Sequence, residues 1–261
     1  MQKLGINIDA YGKSGLEDTL KLIADLGFGA VFNDASFEKS PHQIAEICNR
    51  LGLEYQFIHA PFRGTNNIWL DNADGDEMTA KIISSIDDAN ATNVPIAVVH
   101  ISETYTPPPI SEIGAGRFKK IVEHAYAKNV KIAFENLRVP EYLKWAMDTF
   151  SDAPNVGFCW DTGHENCFTE GIDYMPIYGD KLLCTHIHDN KCEKSGDLHL
   201  IPFDGKIDFE KVAKHLKNCS NDVPLMLEVF AKNEIYKNLS EIEFFQRAYN
   251  SVVKIKNLIN N

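Results

Sequence analysis

Gly157-Phe158-Cys159-Trp160-Asp161-Thr162-Gly163-His164 is an apolar run that ends in an acid, with a histidine three residues further on across a glycine. Such a run reads as a buried strand that delivers two metal-capable side chains to its exit turn. Taken alone it is also what any core strand followed by a turn looks like. The reading is decided by how many other strands end the same way.

Outward from this stretch, strand and helix patterns alternate along the chain. Strands are expected at Leu4–Asp9, Ala30–Asn33, Glu54–Ala60, Ile96–Ile101, Lys131–Asn136, Val156–Asp161, Leu182–His188 and Leu225–Phe230. Helices are expected at Leu16–Leu26, Pro41–Leu51, Asp76–Ala91, Arg117–Lys128, Glu141–Phe150, Phe209–Asn218 and Ile242–Ile259, with a weaker patch at Tyr174–Tyr178. Pro41 in a first turn and Gly52 just past the end of the same helix show the usual asymmetry. Alternation of this kind implies parallel strands joined by crossover helices. Eight units in 261 residues match an α/β (β/α)8 TIM barrel forming one domain over residues 1–261. A doubly wound sheet is the alternative, but no glycine-rich dinucleotide fingerprint follows the first strand.

Composition narrows the function classes. Hydrophobic residues make up 44% and charged residues 24%, a globular balance. A net charge of −11 argues against a polyanion, so nucleic acid is not an expected partner. No apolar run approaches about 18 residues, so no membrane span is expected. The N-terminus carries no signal-peptide pattern. The six cysteines show no CxxC spacing, and they read as reduced, mostly buried thiols of a cytoplasmic protein. The sequence leaves a homo-oligomer open.

Six consecutive expected strands end in His59, His100, Glu135, Asp161, His186 and Glu228. Two residues earlier, on the same face, stand Phe57, Val98, Ala133, Cys159, Cys184 and Met226. This is an apolar interior stack topped by polar groups. Three buried carboxylates would repel one another by several kcal/mol unless cations neutralise them. A divalent metal does so, and imidazole with carboxylate suits Zn, Mn, Co or Fe better than Ca. His164 adds a ligand type on the exit turn. Asp197-Leu198-His199 adds an acid and an imidazole two residues apart in the loop after the seventh strand. Long connections, Pro61–Gly75, Ser102–Gly116 and Asp189–Asp208, leave strands 3, 4 and 7 at the face where barrels carry their sites. Arg63, Lys191, Lys194 and Lys206 in these loops are candidates for contacting a phosphate or carboxylate.

The motifs Phe134-Glu135-Asn136, Trp160-Asp161-Thr162-Gly163-His164, His186-Ile187-His188-Asp189, Asp197-Leu198-His199, Pro202-Phe203-Asp204-Gly205 and Leu227-Glu228-Val229 resemble the xylose-isomerase-like barrel superfamily. That group holds sugar-phosphate isomerases and epimerases together with AP endonucleases of the endonuclease IV type. The similarity spans essentially the whole chain. The resemblance implies one divalent ion, Zn, Mn or Co, on Glu135, Asp161, His186 and Glu228. It also implies that Glu135 and Glu228 serve as the acid/base pair. His59, His100, His164, His188 and Arg63 would contact a small carbohydrate substrate. The reaction implied is isomerisation or epimerisation of a sugar or sugar phosphate, by proton transfer through a metal-stabilised enediolate. The endonuclease IV pattern implies instead a multinuclear zinc site that adds His59, His100, His164, Asp197 and His199 as ligands. A dehydratase or lyase acting on a small polyhydroxy acid is a further alternative.

Overall fold

The structure is a computed structural model that describes residues 2–34, 40–169, 171–219 and 223–261. Eight parallel strands form the barrel: β1 (Leu4–Asn7), β2 (Ala30–Asp34), β3 (Glu54–His59), β4 (Ile96–Val99), β5 (Lys131–Glu135), β6 (Val156–Asp161), β7 (Leu182–His186) and β8 (Leu225–Leu227). They pair in the order β7-β6-β5-β4-β3-β2-β1-β8. A parallel bridge from Ile187 to Leu227 closes the barrel just past β7. The expected (β/α)8 architecture is therefore the observed one.

The helices are α1 (Leu16–Asp25), α2 (Pro41–Leu51), α3 (Ala73–Ala91), α4 (Glu112–Ala127), α5 (Pro140–Thr149), α6 (Thr162–Phe168), α7 (Met175–Tyr178), α8 (Phe209–Asn218) and α9 (Glu241–Asn260). No helix among the described residues is long and apolar enough to cross a membrane. All six cysteines are free.

Two cores follow from the alternation of side chains along each strand. Inside the barrel Ala30, Phe32, Phe57, Ile96, Val98, Ala133, Cys159, Cys184 and Met226 pack together. Outward-facing residues such as Ile6, Val31, Ile58, Val99, Phe134, Phe158 and Leu227 pack against the helices. All six residues expected in the stack beneath the polar strand ends belong to the inner core.

The structure departs from the sequence reading at three helices. α3 starts at Ala73 and α4 at Glu112, several residues earlier than expected. Asn72 and Ser111 cap them, accepting from the Gly75 and Gly114 amides at 2.8 and 3.2 Å. The glycines in these first turns mark close packing instead of loop. A Cβ on Gly114 would lie 2.2 Å from Cε3 of Trp69. Third, α6 follows β6 without a loop, where only an exit turn was expected. Its cap is Asp161, whose Oδ1 accepts from the His164 amide at 2.6 Å.

The rim loops are fastened. Arg117, buried on α4, donates to the carbonyls of Ile68, Leu70 and Asn72 at 2.9, 2.6 and 3.0 Å, and pairs with Asp76 at 2.9 Å. This holds the β3–α3 loop that carries Arg63. Asp189 does the same for the loop after β7. Its two oxygens accept from the amides of Asn190, Phe203, Gly205 and Ile207 at 2.8–3.0 Å. An antiparallel bridge between Asp189 and Leu200 adds to the restraint. The loop thereby folds back over the barrel mouth, bringing Asp197 and His199 with it.

Candidate metal centre

Every residue expected to carry chemistry lies at or above the C-terminal end of the barrel. Glu135, Asp161, His59 and His186 are the last residues of their strands, and His100 and Glu228 follow β4 and β8 by one residue. Glu135 is the hub, with 1% of its side chain exposed. Its Oε2 faces Nε2 of His59 at 3.3 Å and Nε2 of His100 at 2.9 Å. Its Oε1 faces Nδ1 of His164 at 2.9 Å and Nδ1 of His186 at 3.4 Å. His186 Nδ1 in turn lies 3.8 Å from Asp161 Oδ2 and 3.5 Å from Glu228 Oε2. Glu135, Asp161 and Glu228 thus each face Nδ1 of His186, but the four residues expected to share one ion do not together form one of the groups whose ligand atoms all lie within 4.8 Å of one another.

A second group gathers on the other side of Asp161. Asp197 lies 3.3 Å from His164 Nε2, 3.2 Å from His199 Nε2 and 3.7 Å from His188 Nε2. His188 Nε2 also stands 3.1 Å from Asp161 Oδ1. The ligand atoms of His164, His188, Asp197 and His199 all lie within 4.8 Å of one another, as do those of His59, Glu135 and His186, of Glu135, Asp161 and His164, and of Asp161, His188 and Glu228.

Backbone contacts fix how the rings present themselves. His59 Nδ1 donates to the Ala60 carbonyl at 2.8 Å, and His199 Nδ1 to that of Glu228 at 3.1 Å. In a neutral ring the remaining Nε2 is then a bare lone pair, and in both it faces a carboxylate oxygen. Two acceptors facing each other need a cation between them, either a proton or a metal. Other buried atoms are in the same state. Both ring nitrogens of His186 and of His188, Oδ2 of Asp161 and Oδ1 of Asp197 have no hydrogen-bond partner among the described residues. Orphaned buried donors and acceptors are rare in folded proteins. Here they cluster in one place with the nitrogen and oxygen ligand types that zinc, manganese and cobalt accept. The residues fit a metal.

The electrostatics of the site point the same way. Burial alone would lower the His186 pKa, but Glu228 and Glu135 outweigh it and push it up to about 10. Burial likewise opposes protonation of His199, yet Asp197 and Glu228 raise it to about 9. Burial favours neutral Glu135, but His186 and His100 hold its carboxyl well below the usual range. Each of these shifts favours positive charge against the buried carboxylates, the charge that a metal would supply.

Above these ligands opens a cavity of about 910 Å³. Of the residues expected to meet substrate, His59, His100, His164 and Arg63 line it, as do Glu135, Glu228, Asp197 and His199. His188 does not. It is fully buried and stacked on His199 at 4.1 Å, beneath the cavity instead of in it. Gly163 makes this position available, since a Cβ there would fall 1.8 Å from the His188 ring. Lys191, Lys194 and Lys206 also lie outside the lining. The sequence reading missed Asp9, Asp34 and Arg138, which do line it. The signal was present: Asp34 ends β2, Asp9 follows β1 by two residues, and Arg138 follows Glu135 by three, as His164 follows Asp161. Asn136 also carries a role that was not read. Its side-chain amide exchanges two 2.8 Å hydrogen bonds with the Asp161 backbone and so ties β5 to β6 at the ligands.

The family model for the xylose isomerase-like TIM barrel matches residues 20–248. The chain belongs to the xylose isomerase-like TIM barrel family. An uncharacterized relative, protein y4fM of Sinorhizobium fredii, is 32% identical over 148 residues, a match covering 54% of this chain and 46% of that protein's length. Among solved structures, an L-ribulose 3-epimerase superposes with a TM-score of 0.79 at 18% identity, covering 100% of this chain and 95% of the other. The IOLI protein with a bound zinc atom superposes with a TM-score of 0.78 at 19% identity, covering 97% of each. At such identities the likeness of these members of the xylose isomerase-like fold is one of architecture.

Two outcomes test this centre. Gly163→Ala should displace the His188 ring and weaken metal retention by about 10- to 100-fold, the usual effect of disturbing groups that orient ligands. Competition with a chelator measures it, and unchanged affinity would remove His188 from the centre. The second outcome concerns pH. His186 and His199 have folded pKa values above the unfolded 6.5, so their ion pairs stabilise the metal-free fold fully below pH 6.5 and are lost as pH rises through about 9 to 10. Denaturant midpoints of metal-free protein should fall across that window, while metal affinity rises because fewer protons compete. A flat midpoint for the metal-free protein would contradict the assigned ion pairs.

Proposed function

We propose that the chain is a metal-dependent sugar isomerase or epimerase. The observation that carries this reading is the placement of Glu135 and Glu228. They come from strands three apart around the barrel, and both reach His186 Nδ1, at 3.4 and 3.5 Å. Both line the same cavity. Solved folds similar to this one include an L-ribulose 3-epimerase and a zinc-bound protein.

Glu135, Asp161, His186 and Glu228 would hold the ion. A divalent ion there would polarise a carbonyl and an adjacent hydroxyl and so acidify the C–H between them. The side chains do the rest. One glutamate takes the proton from that carbon, and the other returns it to the opposite face for epimerisation, or to the neighbouring carbon for isomerisation. Glu228 is the more open of the two, with 14% of its side chain exposed against 1% for Glu135. His59, His100, His164 and Arg63 line the cavity and would meet the sugar hydroxyls there. Fixing that chain of hydroxyls puts the reacting carbon between the two carboxylates.

One observation favours a second reading, a multinuclear phosphodiesterase acting at abasic sites. His59 and His100 share Glu135 Oε2, while His164, Asp197 and His199 form a contiguous group, so all the positions of the endonuclease IV pattern converge.

Incubation of the metal-loaded protein with a ketose panel in heavy water tests the first reading. Deuterium should enter the carbon next to the carbonyl. Glu135→Gln and Glu228→Gln should each reduce that exchange by about 10² to 10⁴. Cleavage of an abasic-site duplex without exchange into any sugar would favour the phosphodiesterase.

A further inference from the structure

The cavity has an acidic and histidine-rich floor, and cations line it as well, beside the acid Glu103. Arg63, Lys81, Arg138 and Lys232 line it, in a chain whose net charge is −11. Lys81 is already paired with Glu77 at 2.6 Å. Arg138 is different. It is half-buried, no described carboxylate lies within ion-pair distance of it, and none of its N–H groups donates to a described protein acceptor. A half-buried cation with unused donors inside a ligand cavity differs from an ordinary solvated arginine.

Its setting fixes its geometry. The guanidinium lies 3.9 Å over the ring of Phe168 and 6.0 Å from that of Tyr105. Phe168 stacks on His164 at 4.6 Å, so one aromatic ring separates the arginine from the floor of the site. Stacking holds the guanidinium plane and leaves its N–H edge free, which is how arginine recognises planar or tetrahedral oxyanions. A second cation converges on the same aromatic. Lys194 Nζ lies 5.3 Å from the Tyr105 ring, and Ser195 on the same loop reaches the Tyr105 hydroxyl at 3.1 Å. Two cations without a carboxylate partner among the described residues thus meet around Tyr105, drawn from the loops after β5 and β7. Their mutual repulsion is relieved by an anion.

We propose that Arg138, assisted by Lys194, is a specificity-determining residue that binds an oxyanion on the end of the substrate away from the reacting carbon. The substrate class is then an anionic sugar, either a phosphomonoester or a sugar acid. The neutral free sugar is the poorer ligand. This rests on the isomerase or epimerase reading for what lies at the floor, but it concerns binding at the rim and is tested by binding.

The probes are fructose, fructose 6-phosphate and glucuronate, titrated calorimetrically into the metal-loaded full chain. The wild type should bind at least one anionic probe about tenfold or more tighter than fructose, as expected for a charge-assisted pair. In Arg138→Ala that preference should collapse toward one, and in Lys194→Ala it should shrink. Arg138→Lys should keep part of it, which separates loss of charge from loss of fold. A preference for fructose 6-phosphate alone identifies a phosphate subsite, and one for glucuronate alone a carboxylate subsite. Equal affinity for neutral and anionic probes in the wild type, or a preference unchanged by Arg138→Ala, overturns the proposal. Heavy-water exchange on the same samples reports separately on the proposed activity. An Arg138-dependent preference without exchange leaves the subsite standing and removes the isomerase.

Discussion

A carboxylate does not stay ionised out of water unless positive charge lies against it. Glu135 is such a carboxylate, buried at the centre of the barrel mouth with four imidazole nitrogens around its two oxygens. Either those rings take up protons or the group binds metal. The backbone carbonyls of Ala60 and Glu228, which occupy Nδ1 of His59 and His199, turn the opposite nitrogens toward carboxylates. Much of the architecture above the strands serves this requirement. Asn136 fastens Asp161, Asp161 caps α6, and α6 supplies His164 in its first turn.

The barrel gives the floor and its loops give the rim, and each set is held by a different kind of contact. The floor residues are rigid because they end strands that are paired on both sides. The rim is rigid only where a buried charge gathers backbone groups. Arg117 collects three carbonyls before α3, and Asp189 collects four amides in the loop after β7. Asp189 is therefore what turns Asp197 and His199 from loop residues into neighbours of His164 and His188. That division suits a metal-bound reacting end on a fixed floor and a substrate tail read by side chains from several loops.

The strand ends were readable in the sequence because a period of two puts Ala133 under Glu135 and Cys184 under His186 whatever the loops do. The same rule, carried to strands 1 and 2, would have added Asp9 and Asp34. α6 was hidden because Gly163, His164, Glu165 and Asn166 show no apolar period and its cap is itself a ligand candidate. The place of His188 could not be read, since it depends on the missing Cβ of Gly163 pressing against a ring 25 residues away in sequence. The fastening of the rim was equally invisible, because Asp189 bonds amides whose identity leaves no mark on side-chain pattern. Arg138 looked like any surface arginine until Phe168 was placed beneath it.

The central claim is that Glu135, Asp161, His186 and Glu228 enclose one metal ion. Crystals of the protein as purified, measured on either side of the zinc, manganese and cobalt absorption edges, test it directly. The account predicts an anomalous peak among those four side chains, with further peaks beside His59 and His100 or at His164, Asp197 and His199 weaker or absent. No peak at the four-residue position even after metal soaking would contradict it, as would an ion held only by His164, Asp197 and His199.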